Sequence, residues 1–251
     1  MNSELATPRT YRAMIAVGRA LFAALRLRPR VAGVEHIPEQ GGAVLAITHF
    51  GYLDFAITEW VVWRRNRRWI RFLATSAAFA HPLSGPPLRA MRHVPVDRAD
   101  GSDAYRHAVD AARAGHLVGL FPEGQVTRDW NEVLACAGGA VRIAAAAGVP
   151  LVPVAVWGGH RVLTKSHRFS PRAAYRATIS VRIGRPVAVT QEQAGRDAGP
   201  WLRSLLQNLM IAAQDDYPDQ PRGDGDRWWL PNRLAAPSSH ERTLDPRDES
   251  A

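Results

Sequence analysis

His49 and Asp54 stand five residues apart in the segment AVLAITHFGYLD, with Gly51 between them. An imidazole beside a carboxylate can serve as a general base. The carboxylate accepts from one ring nitrogen and fixes the tautomer, leaving the other nitrogen to take a hydroxyl proton near neutral pH. On one continuous helix, residues five apart sit about 140° apart and do not meet. The pair therefore requires a break, with His49 ending a strand and Asp54 in the first turn of a helix. By spacing alone such pairs are common, and a local hydrogen bond accounts for this one equally well. A second carboxylate, Glu123, follows the apolar run in LVGLFPEG. That puts it beyond the carboxyl end of a strand, where open α/β sheets bind ligands, although a plain loop carboxylate fits the same pattern. Arg98 closes VPVDR, and Arg128 lies four residues beyond Gly124. A forked guanidinium suits a phosphate, while a solvated surface charge is the alternative for each arginine.

These residues need a scaffold that brings strand ends together. Apolar runs of strand length occur at Val31–Val34, Ala43–Thr48, Trp69–Thr75, His93–Val96, Leu117–Phe121, Leu151–Trp157 and Thr178–Ile183. Helical patterns alternate with them at Leu53–Arg64, Pro86–Arg92, Ser102–Ala114, Gly138–Ala147 and Pro200–Asp216. The alternation predicts one α/β domain over residues 30–217, with a mixed, largely parallel sheet flanked by helices. A continuous apolar run such as LVPVAVW suits a strand covered on both faces. Ahead of the domain, residues 1–29 carry an amphipathic helix. Its Arg12, Arg19 and Arg26 share one face, and Met14, Val17, Leu21 and Leu25 gather on another. That pattern fits a surface helix packed on its own domain or a helix lying in a membrane interface. Residues 218–251 are rich in Pro, Asp, Arg and Ser and predict an irregular or partly disordered tail, with Trp228 and Trp229 as the piece that docks.

Composition narrows the function classes. The 251 residues are 46% hydrophobic and 22% charged, with a formal net charge of +9, as for a folded chain that meets polyanions or anionic lipid. Lys165 is the sole lysine and Cys136 the sole cysteine, so an intrachain disulfide is impossible, and a reducing compartment is expected. Cys136 has no base near it in sequence and reads as structural. No apolar run reaches about twenty residues and no secretory signal is evident, so neither a spanning helix nor export is predicted. A serine hydrolase would need GxSxG and a nucleotide-binding fold GxGxxG or GxxxxGK[ST], none of which occurs. The basic, aromatic stretch WRRNRRWIR at 63–71 suits nucleic acid in principle. It falls across a helix end and a strand start, so a solvated, lipid-facing or acidic-partner patch is simpler, and no nucleic acid is expected.

Taken in order, the HxxxxD box at His49–Asp54, VPVDR ending at Arg98, FPEG at Phe121–Gly124 and VPVAVWG at Val152–Gly158 resemble the four blocks of the glycerolipid acyltransferase family. The best-known members acylate 1-acylglycerol-3-phosphate. The similarity runs over about Arg30–Pro186, and FPEGQVTRDW, GGAVRIAAAAGVPLVPVAVWGGHRVLTK and RWWLPNRL are similar to its actinobacterial branch. The resemblance implies His49 as base and Asp54 as its orienting carboxylate. It also implies Arg98, Glu123, Gly124 and Arg128 around a phosphorylated acceptor, and Pro153 on the acyl-donor side. It implies direct transfer from acyl-CoA or acyl carrier protein to a lysophospholipid, without metal, other cofactor or acyl-enzyme, by a protein held peripherally at the cytoplasmic membrane face. An apolar tunnel or groove should lead to His49. Thr75 and Ala77 stand where many members carry lysine and glutamate, and Gln125 replaces a usual threonine. These departures leave open a glycolipid, an amino-acid lipid, glycerol-3-phosphate or another lipid alcohol as acceptor.

Overall fold

The computed structural model describes residues 8–97, 99–126, 132–165, 167–231 and 233–234. Seven strands form one sheet: β1 (Arg28–Ala32), β2 (Ala43–Ile47), β3 (Ile70–Thr75), β4 (Val94–Val96), β5 (Leu117–Leu120), β6 (Leu151–Trp157) and β7 (Thr178–Ile183). Their spatial order is β1-β7-β6-β2-β5-β3-β4. From β6 through β2, β5 and β3 to β4, each successive pairing is parallel. The β6–β7 pairing is antiparallel, and β1 then pairs parallel with β7. The fold is the expected single α/β domain with a mostly parallel sheet.

Helices cover both faces, which is why β2 and β6 are buried along their whole length. Alternate residues of β2 feed two separate cores. Val44 and Ala46 join α5 (Ser102–Arg113), α6 (Gly139–Ala147) and α8 (Ala198–Asp215) on one face. Ala43, Leu45 and Ile47 join α2 (Asp54–Asn66) on the other, where Phe22 of α1 (Arg9–Ala24) also packs. Small residues set how closely these layers approach. Ala104, Ala108, Ala111 and Ala112 line the buried side of α5, and Ala140 and Ala144 that of α6. Gly148, left-handed at φ 67°, ends α6.

Three elements depart from the sequence expectation. The first strand begins at Arg28 rather than Val31, and all five of its residues are exposed. It is an edge strand fixed by pairing with β7 rather than by burial, so hydrophobic patterning could not reveal it. The short helices α3 (Ser76–Ala80) and α7 (Pro171–Ala174) carry too few residues to show a period. Another short helix, α4 (Gly85–Ala90), stands near the expected Pro86–Arg92. Among the described residues no helix is long and apolar enough to cross a membrane.

Candidate active site

The parallel register places the candidate residues. Ala46 of β2 is the partner of Leu120 of β5, so His49 and Glu123 each lie three residues beyond one matched pair, at the carboxyl edge of the sheet. There the Glu123 carboxylate bridges two backbones. Its Oε1 accepts the His49 N–H at 2.8 Å and its Oε2 the Leu134 N–H at 2.9 Å. The His49 ring stacks on Phe121, with ring centres 4.0 Å apart and planes at 21°. Phe121 in turn stacks on Phe72 of β3 at 5.7 Å. The imidazole is thereby held by its backbone and by one ring face.

Asp54 opens α2 and is fully buried. Its Oδ2 accepts the Phe50 N–H at 2.8 Å and the Gly51 N–H at 2.7 Å, so the loop curls around the carboxylate. The same oxygen stands 3.6 Å from His49 Nδ1. That is electrostatic contact just beyond hydrogen-bond length, and a closure of under about 1 Å would complete the bond. With Nδ1 turned toward Asp54, Nε2 points away from it, and the histidine side chain keeps 16% of its surface open. Burial pushes the Asp54 carboxyl up from its ordinary value, while His49 and the Gly51 and Phe50 amides pull it back. Burial likewise raises Glu123, opposed by the Leu134 and His49 amides.

Two glycines let this loop exist. A Cβ on Gly51 would stand 2.8 Å from the His160 nitrogen, and one on Gly159 would stand 2.6 Å from Asp54 Oδ1. The turn after β6 therefore presses directly on the histidine–aspartate loop. Thr164 Oγ1 donates to the Phe50 carbonyl at 3.1 Å, and the Tyr52 N–H donates to the Leu163 carbonyl at 3.0 Å, completing the seam.

Residues 28–157, just over half the chain, match the family described as acyltransferase. The chain belongs to the acyltransferase family. It is 33% identical over 135 residues to the 1-acyl-sn-glycerol-3-phosphate acyltransferase of Bacillus subtilis (strain 168), a match covering 53% of this chain and 65% of that protein. The chain thus spans less than two thirds of that relative's length. The fold is similar to the crystal structure of the 1-acyl-sn-glycerophosphate acyltransferase PlsC from Thermotoga maritima, with a TM-score of 0.66 at 20% identity, covering 83% of this chain and 81% of that one.

Within this acyltransferase domain the structure brings His49, Asp54 and Glu123 together, with Gly124 beside them as an exposed turn residue at φ +68°. Glu123 spends both oxygens on backbone amides, so it braces the loop carrying His49 instead of presenting a free carboxylate. Pro153 is not part of this cluster. It pairs with Ala46, three residues before His49, which sets it back by about 10 Å along the sheet. There it is buried, and the nearest atom to a Cβ on Gly184 would be its Cγ. Arg98 and Arg128 lie outside the described residues.

Sequence reasoning missed Phe121 and Gly159 as parts of the site. Phe121 looked like the last residue of an apolar strand, and only its ring stacking distinguishes it. Gly159 had a weak signal in the Gly-Gly pair after β6, which a buried strand alone does not require. Cys136 is half-buried, and burial pushes its thiol up to about 12, so it is not a ready nucleophile. Among the described residues no group of three or more His, Cys, Asp or Glu side chains is arranged to hold a metal ion.

Proposed function

We propose that this acyltransferase moves a fatty acyl group from acyl-CoA or acyl carrier protein onto the hydroxyl of 1-acylglycerol-3-phosphate or a closely related lysolipid. The observation that carries the reading is the His49–Asp54 pair at the open carboxyl edge, with Nδ1 toward a fully buried carboxylate and Nε2 turned away. His49 Nε2 takes the proton of the acceptor hydroxyl as its oxygen attacks the thioester carbon. The tetrahedral adduct collapses, an oxygen ester forms, the carbon–sulfur bond breaks, and the proton on His49 neutralises the departing thiolate. Asp54 holds the ring and compensates the transient imidazolium. In this reading the reaction is a direct transfer that needs no metal or other cofactor. Arg98 and Arg128 are proposed as the phosphate contacts, by family resemblance.

The surroundings suit a lipid substrate and a peripheral position at the cytoplasmic face of a membrane. Helix α1 buries Tyr11 and Ile15 but leaves Met14, Val17 and Leu21 exposed at 42%, 61% and 44%, an apolar stripe one helix long. Between α1 and α2 runs a groove of about 1110 Å³. Trp60, Trp63 and Phe22 line it, with Arg19, Arg26, Arg64 and Arg67 alongside. Arg64 lies over Trp60 at 5.1 Å and Arg67 over Trp63 at 5.5 Å, so cations and apolar rings alternate as an anionic amphiphile requires. The groove lining includes Ile57, one helical turn past Asp54, but not His49, Asp54 or Glu123. It serves the membrane side of the molecule rather than the reacting atoms.

The test is acyl transfer by purified protein, with long-chain acyl-CoA and acyl carrier protein donors against a panel of lysolipids, comparing wild type with His49→Ala. Transfer that falls by about a hundredfold or more in the variant supports the base. Activity surviving unchanged would sink it. Thr75 and Ala77, in place of lysine and glutamate, favour one second reading: the same chemistry on another lipid acceptor, which the panel would identify.

A further inference from the structure

Two adjacent tryptophans close a stretch otherwise rich in proline, aspartate and arginine. Trp229 is fully buried, and its contacts are directional as well as apolar. Its carbonyl lies 3.0 Å from His160 Nε2, the Arg161 guanidinium carbon sits 4.1 Å over its ring, and Tyr217 meets that ring edge-on at 5.6 Å. Arg161 also donates to the Tyr217 hydroxyl at 3.1 Å and to Asp219 Oδ2 at 2.6 Å. Asp219 is itself anchored by the Thr178 N–H and hydroxyl at 2.9 and 2.7 Å. The segment from Tyr217 to Trp229 thus grips the turn Gly159–Arg161 from outside.

The inner side of that same turn is the wall of the catalytic loop. Gly159 abuts Asp54 Oδ1, and Gly51 abuts the His160 backbone. Beyond it, Thr164 and Leu163 hydrogen bond to Phe50 and Tyr52. A single turn therefore separates the C-terminal segment from the carboxylate that orients His49. Simple filling of the core would not need the carbonyl–histidine contact or the arginine between ring and carboxylate.

We propose that the segment Tyr217–Trp229 is a positioning strap, in which Trp229, acting through His160 and Gly159, sets where Asp54 stands relative to His49. This rests on the reading of His49 and Asp54 as the proton-transfer pair. Strap residues touch no substrate, so loosening the strap should cost turnover rather than binding.

The experiment compares Trp229→Ala, Trp229→Phe and the gentler Asp219→Asn with Leu206→Ala, which opens a cavity at a fully buried position of α8 outside the strap. Full-length proteins are assayed for kcat and for KM toward donor and acceptor. Amide hydrogen exchange over residues 49–54 is followed under conditions where each variant is folded. Trp229→Ala is expected to lower kcat about tenfold or more with both KM values within about twofold, because small misplacements of a catalytic group are costly. Trp229→Phe should recover most of the loss, Asp219→Asn should show the same split more weakly, and Leu206→Ala should keep kcat within about twofold. Exchange over 49–54 should quicken in Trp229→Ala and not in Leu206→Ala. If Trp229→Ala does not fold, Asp219→Asn decides by the same criteria. A kcat in Trp229→Ala (or, where that variant does not fold, in Asp219→Asn) no lower than in Leu206→Ala, or unchanged exchange over 49–54 in the same variant, overturns the proposal. Should wild type acylate none of the lipids offered, the functional reading fails, and the exchange measurement still decides the strap.

Discussion

Among the described residues, two histidine–carboxylate pairs have the same separation and opposite fates. His49 Nδ1 stands 3.6 Å from Asp54, and His93 Nε2 stands 3.6 Å from Glu59. At the first pair the histidine is 16% open, and one ring nitrogen points away from its carboxylate. At the second the histidine is 1% open, and both nitrogens face protein groups. His93 Nδ1 accepts the Phe72 N–H at 3.0 Å, so a neutral His93 carries its proton on Nε2, facing Glu59. Tyr11 hydrogen bonds to Glu59 from α1 and is itself packed among Ile15, Trp69 and Met91. Distance between a base and an acid is therefore not what makes a site. An open nitrogen at a strand end makes one; the same pair sealed under a helix becomes a staple that ties α1 to α2 and to β3.

The sharpest way to break that comparison is to delete both imidazoles in parallel. His49→Ala should lower kcat for acyl transfer by about a hundredfold or more, with a denaturation midpoint close to wild type. Asp54→Asn comes next. With its carbonyl oxygen in the place of Oδ2 it keeps the acceptor for both the Phe50 and Gly51 amides but removes the carboxylate facing His49, so kcat should fall by about tenfold to a hundredfold. Steady-state rates at saturating substrate check both. If Asp54→Asn retained full activity, the carboxylate would be a loop staple, and the two pairs would no longer differ in kind.

How much of this was visible in the chain follows from what each feature depends on. Strands β2 and β6 announce themselves because burial on both faces demands an unbroken apolar run, and His49 and Glu123 are legible because they terminate such runs. The exposed edge strand Arg28–Ala32 is legible only at Val31 and Ala32, since pairing rather than hydrophobicity defines where it begins. Phe121 and Gly159 belong to the site through contacts between segments about 70 and 100 residues away from His49 and Asp54, and no local pattern encodes such stacking or close approach. Glu59 and His93 sit 34 residues apart in unremarkable surroundings, so their pairing could be read only from the packed structure.

Removing His93 should cost stability and spare chemistry. His93→Ala strands the Phe72 N–H and leaves the buried Glu59 without its facing proton. A buried N–H left unsatisfied costs about 1–3 kcal/mol, so the unfolding free energy should drop by about that amount. At a temperature where the variant is folded, kcat should stay within about threefold of wild type. Urea unfolding and a rate measurement on the same preparation check this. A loss of turnover as deep as in His49→Ala, with unchanged stability, would mean that the interior pair takes part in the reaction.

The last contrast concerns the charge state of the sealed pair. Burial raises Glu59 to about 8 and lowers His93 to about 4, so both are neutral in the fold near pH 7. The folded state holds the Glu59 proton more tightly than the unfolded chain, whose glutamate titrates near 4.5. The stability linked to Glu59 is therefore complete below about pH 4.5 and drains away as pH rises toward 8. His93 acts in the opposite sense: its contribution is complete above about 6.5 and is lost as pH falls toward 4. Glu59→Gln mimics the protonated carboxyl and cannot ionise, while His93 titrates alike in both proteins. The Tm of the variant relative to wild type should thus climb from pH 5 to pH 8, by about ten degrees. Thermal unfolding at pH 5, 6.5 and 8 measures that slope. Parallel curves would show that Glu59 is already ionised in the fold, and burial alone would then not separate the sealed pair from the open one.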